Sequence, residues 1–338
     1  MTMLCDCDPG CTQPRPIESM EYTACPLCGS DDHKLLFERL DHTHYVTNDR
    51  FRIVRCRECS MVFVNPRPGR EEIKSYYPPE FYDVSMAPER LLLEKQSGLE
   101  ARAKLLTGLA PGKLLDIGCS KGEFLFWMKR LGWSVQGVEF SETPPNVFNM
   151  PIFYGRLESA PLTRGSFDVI TMWAVLEHVH DPIQTLSLIA ELLKPGGRAF
   201  VLVPNFRSLP ARLMRHDDVP RHLLMFTPST LSKAASAAGL KVRRTVFSDD
   251  IFSGSTRGVL NFLVKRAFGE TYDEILAQNR SVERWLEFEE RLRGKPSKLM
   301  RWVDSLDKRY TPVLDRVART LRCSFTMTAE LEAPERAV

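Results

Sequence analysis

The sequence predicts an α/β protein built on a doubly wound parallel sheet. Between residues 113 and 203, short apolar strand patterns alternate with helical ones. A turn bearing Gly118 and Gly122 joins the first of these strands to its helix, and the second strand ends in an acid, Glu139. Strands that alternate with helices pair in parallel, with the helices on both faces. Composition agrees: 338 residues, 43% hydrophobic and 26% charged, with 19 Gly and 23 Pro, exclude a disordered, collagen-like or coiled-coil chain. No run approaches the roughly 18 apolar residues of a membrane-spanning helix. Met1 to Gly10 has no basic or apolar export segment, so a cytoplasmic location is expected. A net charge of +3 is too small to argue for a nucleic-acid partner.

Seven of the nine cysteines fall at or before Cys59. Without an export signal, that crowding points to metal and not to disulfides. Cys25-Pro-Leu-Cys28 and Cys56-Arg-Glu-Cys59 make two C-x2-C knuckles, which together supply four thiolates in a closed tetrahedral shell. Arg50 to Cys56 reads as a strand entering the second knuckle and Met61 to Val64 as the strand returning from it. The pattern is a zinc ribbon over residues 21–70, with a structural zinc on Cys25, Cys28, Cys56 and Cys59; the alternative is four reduced thiols in a hairpin core. Cys5, Cys7 and Cys11 lie in a flexible tail, residues 1–20. Arg50, Arg52, Arg55 and Arg57 could touch phosphates, but the ribbon carries eight basic against seven acidic residues, so a solvated strand face is the default.

Residues 71–110 form a linker, with Tyr76-Tyr-Pro-Pro, and a leading helix on which Leu91, Leu92, Leu99, Ala103 and Leu106 recur at helical spacing. The core, residues 111–249, follows. Lys113–Ile117 is a buried strand, Gly118–Gly122 the turn, Ser134–Glu139 the second strand and Phe167–Trp173 the next. A helix over Ile183–Leu193 and a strand over Arg198–Val203 come after it. Glycines at 118 and 122 let a ligand approach the backbone, and the helix behind them offers free N–H groups to an anion. Glu139 can accept both hydroxyls of a ribose, so a nucleoside with an anionic tail fits. A nicotinamide dinucleotide fits less well, because its fingerprint is G-x-G-x-x-G and here Ser120 stands in the middle of Gly118-x-x-x-Gly122.

These segments resemble the successive motifs of class I S-adenosylmethionine-dependent methyltransferases. The motifs are Leu-Asp116-Ile-Gly-Cys-Ser-Lys-Gly122, Val-Glu139-Phe, Ser166-Phe-Asp168-Val-Ile, Leu176-Glu-His-Val-His-Asp-Pro182 and Leu193-Lys-Pro-Gly-Gly-Arg198. The resemblance covers roughly residues 90–250, and bacterial members with an N-terminal zinc ribbon extend it to about residue 21. It implies a Rossmann-like fold that binds S-adenosylmethionine. By position, Asp116, Gly118, Cys119, Ser120 and Gly122 would serve the methionine moiety. Glu139 would hold the ribose and Phe140 the adenine face, with Leu157 and Glu158 at the adenine edge and Trp173 near the sulfonium. Two departures stand out: Ser120 replaces the usual middle glycine, and Arg156 replaces the acid often found after the glycine in Gly155-Arg-Leu-Glu158. The Glu177-His178 pair resembles the divalent-ion site of quinol and RNA-end methyltransferases. Their extra glutamate would fall at Ala174, so no catalytic metal is expected.

Methyl transfer is an in-line displacement that positioning alone can accelerate; a base is needed only if the acceptor must lose a proton. The candidates are His178 and His222, the latter in a Pro-Arg-His-Leu segment that resembles the family's substrate side. A positioning role is the alternative for each. Arg221 either binds an anionic acceptor or ties its loop to Asp217 or Asp218. His180 reads as a helix-start residue.

Thr227 starts a helix through Ala238, Leu240–Phe247 is a strand, and the alternating pattern from Cys323 to Leu331 is the last strand, residues 322–332. Residues 250–321 between them read as a helical insertion. Leu299, Trp302, Val303, Leu306, Tyr310, Val313, Val317 and Leu321 form one apolar stripe on it, and Val259, Leu260, Phe262, Leu263 and Phe268 another. The default is that both pack inward; the alternatives are a lid, a homodimer surface, or a membrane-surface patch meeting a lipid-linked acceptor. The function expected is O-methylation of a small-molecule or carrier-linked acceptor in sugar or natural-product biosynthesis. The alternatives are an RNA methyltransferase gripping RNA with the ribbon, which the near-neutral charge argues against, and an inactive cofactor-binding scaffold.

Overall fold

A computed structural model describes residues 20–44, 46–47, 49–77, 87–141, 146–214, 218–252, 256–277 and 296–335. Cys5, Cys7, Cys11, Pro78, Pro79 and Asp217 lie outside the described residues, as does the side chain of Leu299.

The N-terminal strands are β1 (Met20–Glu21), β2 (His33–Arg39), β3 (Phe51–Cys56), β4 (Val62–Val64) and β5 (Arg67–Pro68). The leading helix α1 runs Pro88–Leu105, with its proline in the first turn, where a missing N–H costs nothing. Next come β6 (Lys113–Ile117), α2 (Glu123–Arg130), β7 (Ser134–Glu139), β8 (Ile152–Tyr154), β9 (Phe167–Trp173), α3 (Pro182–Leu192) and β10 (Leu193–Pro204). β11 (Leu224–Met225), α4 (Pro228–Ala237) and β12 (Lys241–Phe247) follow, then α5 (Val259–Ala267), α6 (Tyr272–Ala277), α7 (Pro296–Thr320) and β13 (Thr326–Glu332).

Seven strands form the main sheet in the order β12-β13-β10-β9-β6-β7-β8. All neighbours are parallel except β13, which runs antiparallel to both β10 and β12. The chain order reverses between β6 and β9, and ligands of doubly wound sheets bind at the carboxyl ends of the strands beside such a switch point. Leu114, Leu115, Ile170, Val201 and Val203 are buried to within 1% of full burial, the run of aliphatic residues that a sheet covered on both faces requires.

The ribbon does not stand apart from this core. Its sheet has the order β11-β4-β3-β2, so one strand comes from the segment that follows His222. Leu224 pairs with Phe63 and Met225 with Val62, and the Val64 N–H donates to the Leu223 carbonyl at 3.0 Å. The Lys233 ammonium on α4 donates to the Cys59 carbonyl at 3.1 Å. Phe51, Ile53, Met61 and Phe63 share one buried cluster with Leu115, Ile170, Leu186 and Val201 of the core.

Two elements depart from the sequence reading. β13 lies between β10 and β12, so both its edges are paired, and the polar half of its alternation is buried too, with Thr326 and Glu330 satisfied by neighbouring elements. Thr326 donates to the Ser248 carbonyl at 2.5 Å, and Glu330 accepts from Arg198 at 3.1 Å and Arg244 at 2.5 Å. α7 leaves most of its predicted stripe uncovered and buries Val303 of it together with a more polar flank. Val303, Asp307, Thr311 and Ala318 are buried, while Trp302, Tyr310, Val313, Leu314, Val317 and Leu321 are exposed. The cause is at the start of α5, whose free N–H groups need acceptors. Asp307 accepts from Gly258 and Leu260, and Asp315 accepts from both the N–H and the hydroxyl of Thr256, at 2.7 and 2.8 Å.

Candidate functional site

The glycine turn sits at the switch point. Gly118 has φ 72°, and a Cβ there would come 2.3 Å from a Val175 methyl, so only glycine fits. Ser120 holds φ 50°, a left-handed conformation that a non-glycine residue occupies at a cost of roughly 1–2 kcal/mol. The Glu139 carboxylate supports it, one oxygen accepting the Ser120 N–H at 2.7 Å and the other the Ser141 N–H at 3.0 Å. Those bonds use two of about four lone-pair directions, so the carboxylate keeps acceptor capacity for hydroxyl groups.

Under the turn, Asp116 is buried and accepts the Thr171 hydroxyl at 2.6 Å. Burial pushes its carboxyl up to about 7, against the pull of Thr171 and Arg102. Burial also raises the Cys119 thiol, aided by the Asp116, Glu139 and Glu123 charges, so Cys119 stays a protonated, packed thiol. A Cβ on Gly137 would come 2.6 Å from that sulfur, which shows how closely it packs on β7. Gly122 precedes α2 with φ 83°. Phe140 is 43% exposed, with the Lys74 ammonium 5.3 Å and the Arg156 guanidinium 6.0 Å from its ring centre. Arg156 itself pairs with Glu71. Leu157 and Glu158 lie in a short 3-10 turn, Leu157 half-buried and Glu158 exposed. Trp173 is buried edge-on against Phe124, ring centres 5.4 Å apart.

Sequence reasoning missed Arg102. It reaches the turn from α1, its guanidinium 5.7, 5.9 and 5.0 Å from the ring centres of Trp173, Phe124 and Phe252. A cation sixteen residues before the glycine turn leaves no local pattern to read.

His178 and His222, from segments 44 positions apart, come together with ring centres 4.7 Å apart and near-perpendicular planes. The His222 Nε2 lies 3.9 Å from the buried Glu177 carboxylate. Donor atoms of Glu177, His178 and His222 all fall within 4.8 Å of one another. The His178 Nδ1 is 3.0 Å from the Arg221 carbonyl and 3.1 Å from the Tyr77 hydroxyl. A carbonyl can only accept, so Nδ1 carries the proton and Nε2 keeps its lone pair. Desolvation, with the nearby His222 adding to it, lowers the imidazolium of His178 to about 3, so the ring is neutral at physiological pH.

Arg221 is fully buried and its donors are spent on the protein. It reaches Asp41 at 2.7 and 3.1 Å, Asp218 at 2.6 and 3.0 Å, and the Tyr76 carbonyl at 2.7 Å. Of the two sequence readings, the loop tie to Asp218 is the one seen, and it extends 180 residues back to the ribbon. His180 precedes the Asp181 cap of α3. Its Nε2 lies 3.0 Å from the Pro68 carbonyl, and its own carbonyl accepts from Arg67 at 2.9 Å. The ribbon and its linker therefore wall one side of the histidine pair.

The four ribbon cysteines fit a zinc ion. Their sulfurs lie within 4.8 Å of one another, with Cys25–Cys59 at 3.4 Å and Cys28–Cys56 at 3.5 Å. A tetrahedron with zinc–sulfur bonds of ~2.3 Å sets its sulfurs roughly 3.8 Å apart. Burial opposes ionisation at Cys56, but the Cys59 and Glu58 N–H groups outweigh it and bring that thiol down to about 7. Burial raises Cys59 to about 11, and Cys25 is raised as well.

Residues 91–245 match the family model described as a methyltransferase domain. Over 157 residues the chain is 34% identical to a protein named ubiquinone biosynthesis O-methyltransferase from Aeromonas salmonicida, covering 40% of this chain and 66% of the relative. A protein of the same name from Cupriavidus pinatubonensis is 33% identical over 156 residues, 40% of this chain and 62% of the relative. The chain thus spans somewhat less than two thirds of these relatives' length. A solved S-adenosylmethionine-dependent methyltransferase from Archaeoglobus fulgidus is 16% identical, with a TM-score of 0.42 over 72% of this chain and 99% of that one.

Proposed function

From the match of residues 91–245 to a methyltransferase-domain family, we propose that the chain transfers a methyl group from S-adenosylmethionine to an oxygen of a small-molecule or carrier-linked acceptor. Sugars and natural products are the acceptor classes favoured. The carrying observation is the Glu139 carboxylate at the end of β7, bonded to the Ser120 N–H at the topological switch point. That arrangement supports ribose recognition, with Gly118, Cys119, Ser120 and Gly122 around the methionine moiety and Asp116 bracing the turn. Phe140, Leu157 and Glu158 serve the adenine, and Trp173 the far wall. When bound, S-adenosylmethionine supplies the electrophilic methyl; the protein's part is to align an acceptor hydroxyl with it and to take the proton that hydroxyl loses. Nε2 of His178 carries the free lone pair that would accept that proton, although desolvation makes it a weak base until a bound acceptor changes its surroundings, and His222 holds the neighbouring position against Glu177.

Calorimetry with S-adenosylmethionine tests the cofactor half: Glu139→Ala weakens binding by about 1.5–3 kcal/mol, the range for hydrogen bonds to a charged group. Unchanged affinity overturns the assignment. For the chemistry, His178→Gln with unchanged cofactor affinity and at least a hundredfold loss of turnover, the lower end of general-base effects of roughly 10²–10⁴, supports the base; equal turnover refutes it.

A second reading has a specific observation behind it. Glu177, His178 and His222 offer one carboxylate and two imidazoles close enough to share a divalent ion. Full turnover in the presence of a strong chelator excludes it.

The four cysteines support a structural zinc with a complete protein shell. Equimolar zinc by elemental analysis, lost in Cys28→Ser, is the result expected; full zinc in that variant refutes the site.

A further inference from the structure

Helix α7 presents to solvent the face a soluble helix normally hides. Trp302, half-buried Leu306, Tyr310, Val313, Val317 and Leu321 follow one another at spacings of four, four, three, four and four, one continuous stripe along the helix. Trp302, Val313 and Leu321 are 61%, 57% and 63% exposed. The stripe is not a misplaced core. The adjoining side of α7 is committed to the fold through Asp307, which caps the start of α5, and through Asp315, bonded to Thr256. Leu263 and Phe268 on α5 add 43% and 65% exposed apolar side chains.

The charges around the stripe decide what could cover it. At 100° per residue, Arg309 and Arg316 run along one edge, with Arg301, Lys308 and Arg319 further round. All five are exposed. Asp307 and Asp315 are engaged on α5 and Thr256, while Asp304 offsets Lys308 at 2.7 Å and Asp250 lies 4.0 Å from Arg319, so Arg309 and Arg316 make the cationic edge of the stripe. A second copy fits poorly: two such helices packed antiparallel about a two-fold axis set the arginine edge of one against the same edge of the other. An anionic surface meets both the apolar stripe and its cationic edge. Trp302 and Tyr310 carry the ring types that settle at headgroup depth.

We propose that α7 is a docking surface for an anionic lipid bilayer, lying in the headgroup plane with its stripe towards the acyl chains. No helix among the described residues is long and apolar enough to cross a membrane, so the contact is peripheral. It would hold the protein at the surface where an amphiphilic acceptor resides, and it does not depend on which acceptor is methylated.

Flotation of the full chain with vesicles tests this. Vesicles of phosphatidylcholine containing phosphatidylglycerol should carry the wild-type protein, and vesicles of phosphatidylcholine alone should carry much less. Val313→Asp with Val317→Asp should abolish flotation while circular dichroism and S-adenosylhomocysteine binding stay at wild-type values. Arg309→Ser and Arg316→Ser should each weaken partition to the anionic vesicles roughly fivefold at low salt, the effect of one basic residue near such a surface. Wild-type protein that fails to float with either vesicle overturns the proposal, as does a double aspartate variant that floats like wild type. A dimer seen by light scattering, broken by the same double variant and with no vesicle binding, assigns the stripe to a second copy instead.

Discussion

Arg221 is where one side chain has the widest reach. With no exposure at all and its donors divided among Asp41, Asp218 and the Tyr76 carbonyl, it joins the ribbon, the linker and the histidine loop. Replacing it by methionine would strand the buried Asp41 and the half-buried Asp218, for which a loss of about 3–5 kcal/mol is the usual scale; urea unfolding measures it. Removing Arg164, paired with Glu191 at the surface, should cost under about 1 kcal/mol. These groups also set the acid limit of the fold. Arg221 holds Asp41 and Asp218 below the usual carboxylate range, although burial alone would raise both. The unfolded chain then binds their protons at a higher pH than the folded one, so their stabilisation is present above about pH 4 and is lost as pH falls through the folded values. His178 acts earlier. Its folded value of about 3 against an ordinary 6.5 means the unfolded state is protonated first, so stability declines as pH drops below about 6.5 and is untouched above it. Urea midpoints from pH 8 to 4 should therefore fall in wild type and fall less steeply between pH 6.5 and 4.5 in His178→Gln, where His180, also lowered by burial, still contributes. A flat wild-type profile in that window contradicts a desolvated His178.

Secondary structure was legible where local pattern decides it. β7 and β9 occupy the very residues their apolar runs predicted, and Thr227 caps α4 with the reciprocal bonds to Thr230 that its sequence offers. Elements defined by distant partners were not legible. β8 has three residues and β11 two, and β11 exists only because β4 supplies its pairing edge. The stripe on α7 was visible in the sequence; which side the fold would cover was not, because the acceptors that α5 needs lie some fifty positions downstream. At the site, the glycine turn and Glu139 form a local signature. Tyr77, Arg102 and Asp41 carry none, since they arrive from segments with other roles. The shared sheet has a measurable consequence. With β11 on β4 and Lys233 on the Cys59 carbonyl, ribbon and core should unfold in one calorimetric transition, and stripping the metal should lower its midpoint as a whole. Two separate transitions would show that the ribbon is an independent unit.

For the whole molecule, the candidate site residues fall into two walls of different origin. One is the carboxyl edge of β6, β7 and β8, with Glu139, Ser120 and Phe140, which the linker reaches through Lys74 at Phe140 and Glu71 at Arg156. The other is the histidine pair, set against Tyr77, Arg221 and the Pro68 carbonyl of the N-terminal segment. Damage to the seam between ribbon and histidine loop should therefore spare the cofactor. Asp41→Asn keeps an acceptor for the Arg221 guanidinium but removes the charge, leaving Asp218 as its one carboxylate partner. This variant should lose stability yet bind S-adenosylhomocysteine within about twofold of wild type. Glu139→Ala should do the reverse, and the double variant should show the sum of the two binding effects to within about 0.3–0.5 kcal/mol, as for sites with no shared partner. Calorimetric titration of the four proteins closes the cycle. A marked loss of cofactor affinity in Asp41→Asn alone, or a coupling well above that margin, would mean that the ribbon shapes the cofactor wall as well, and the two-wall description would have to be abandoned.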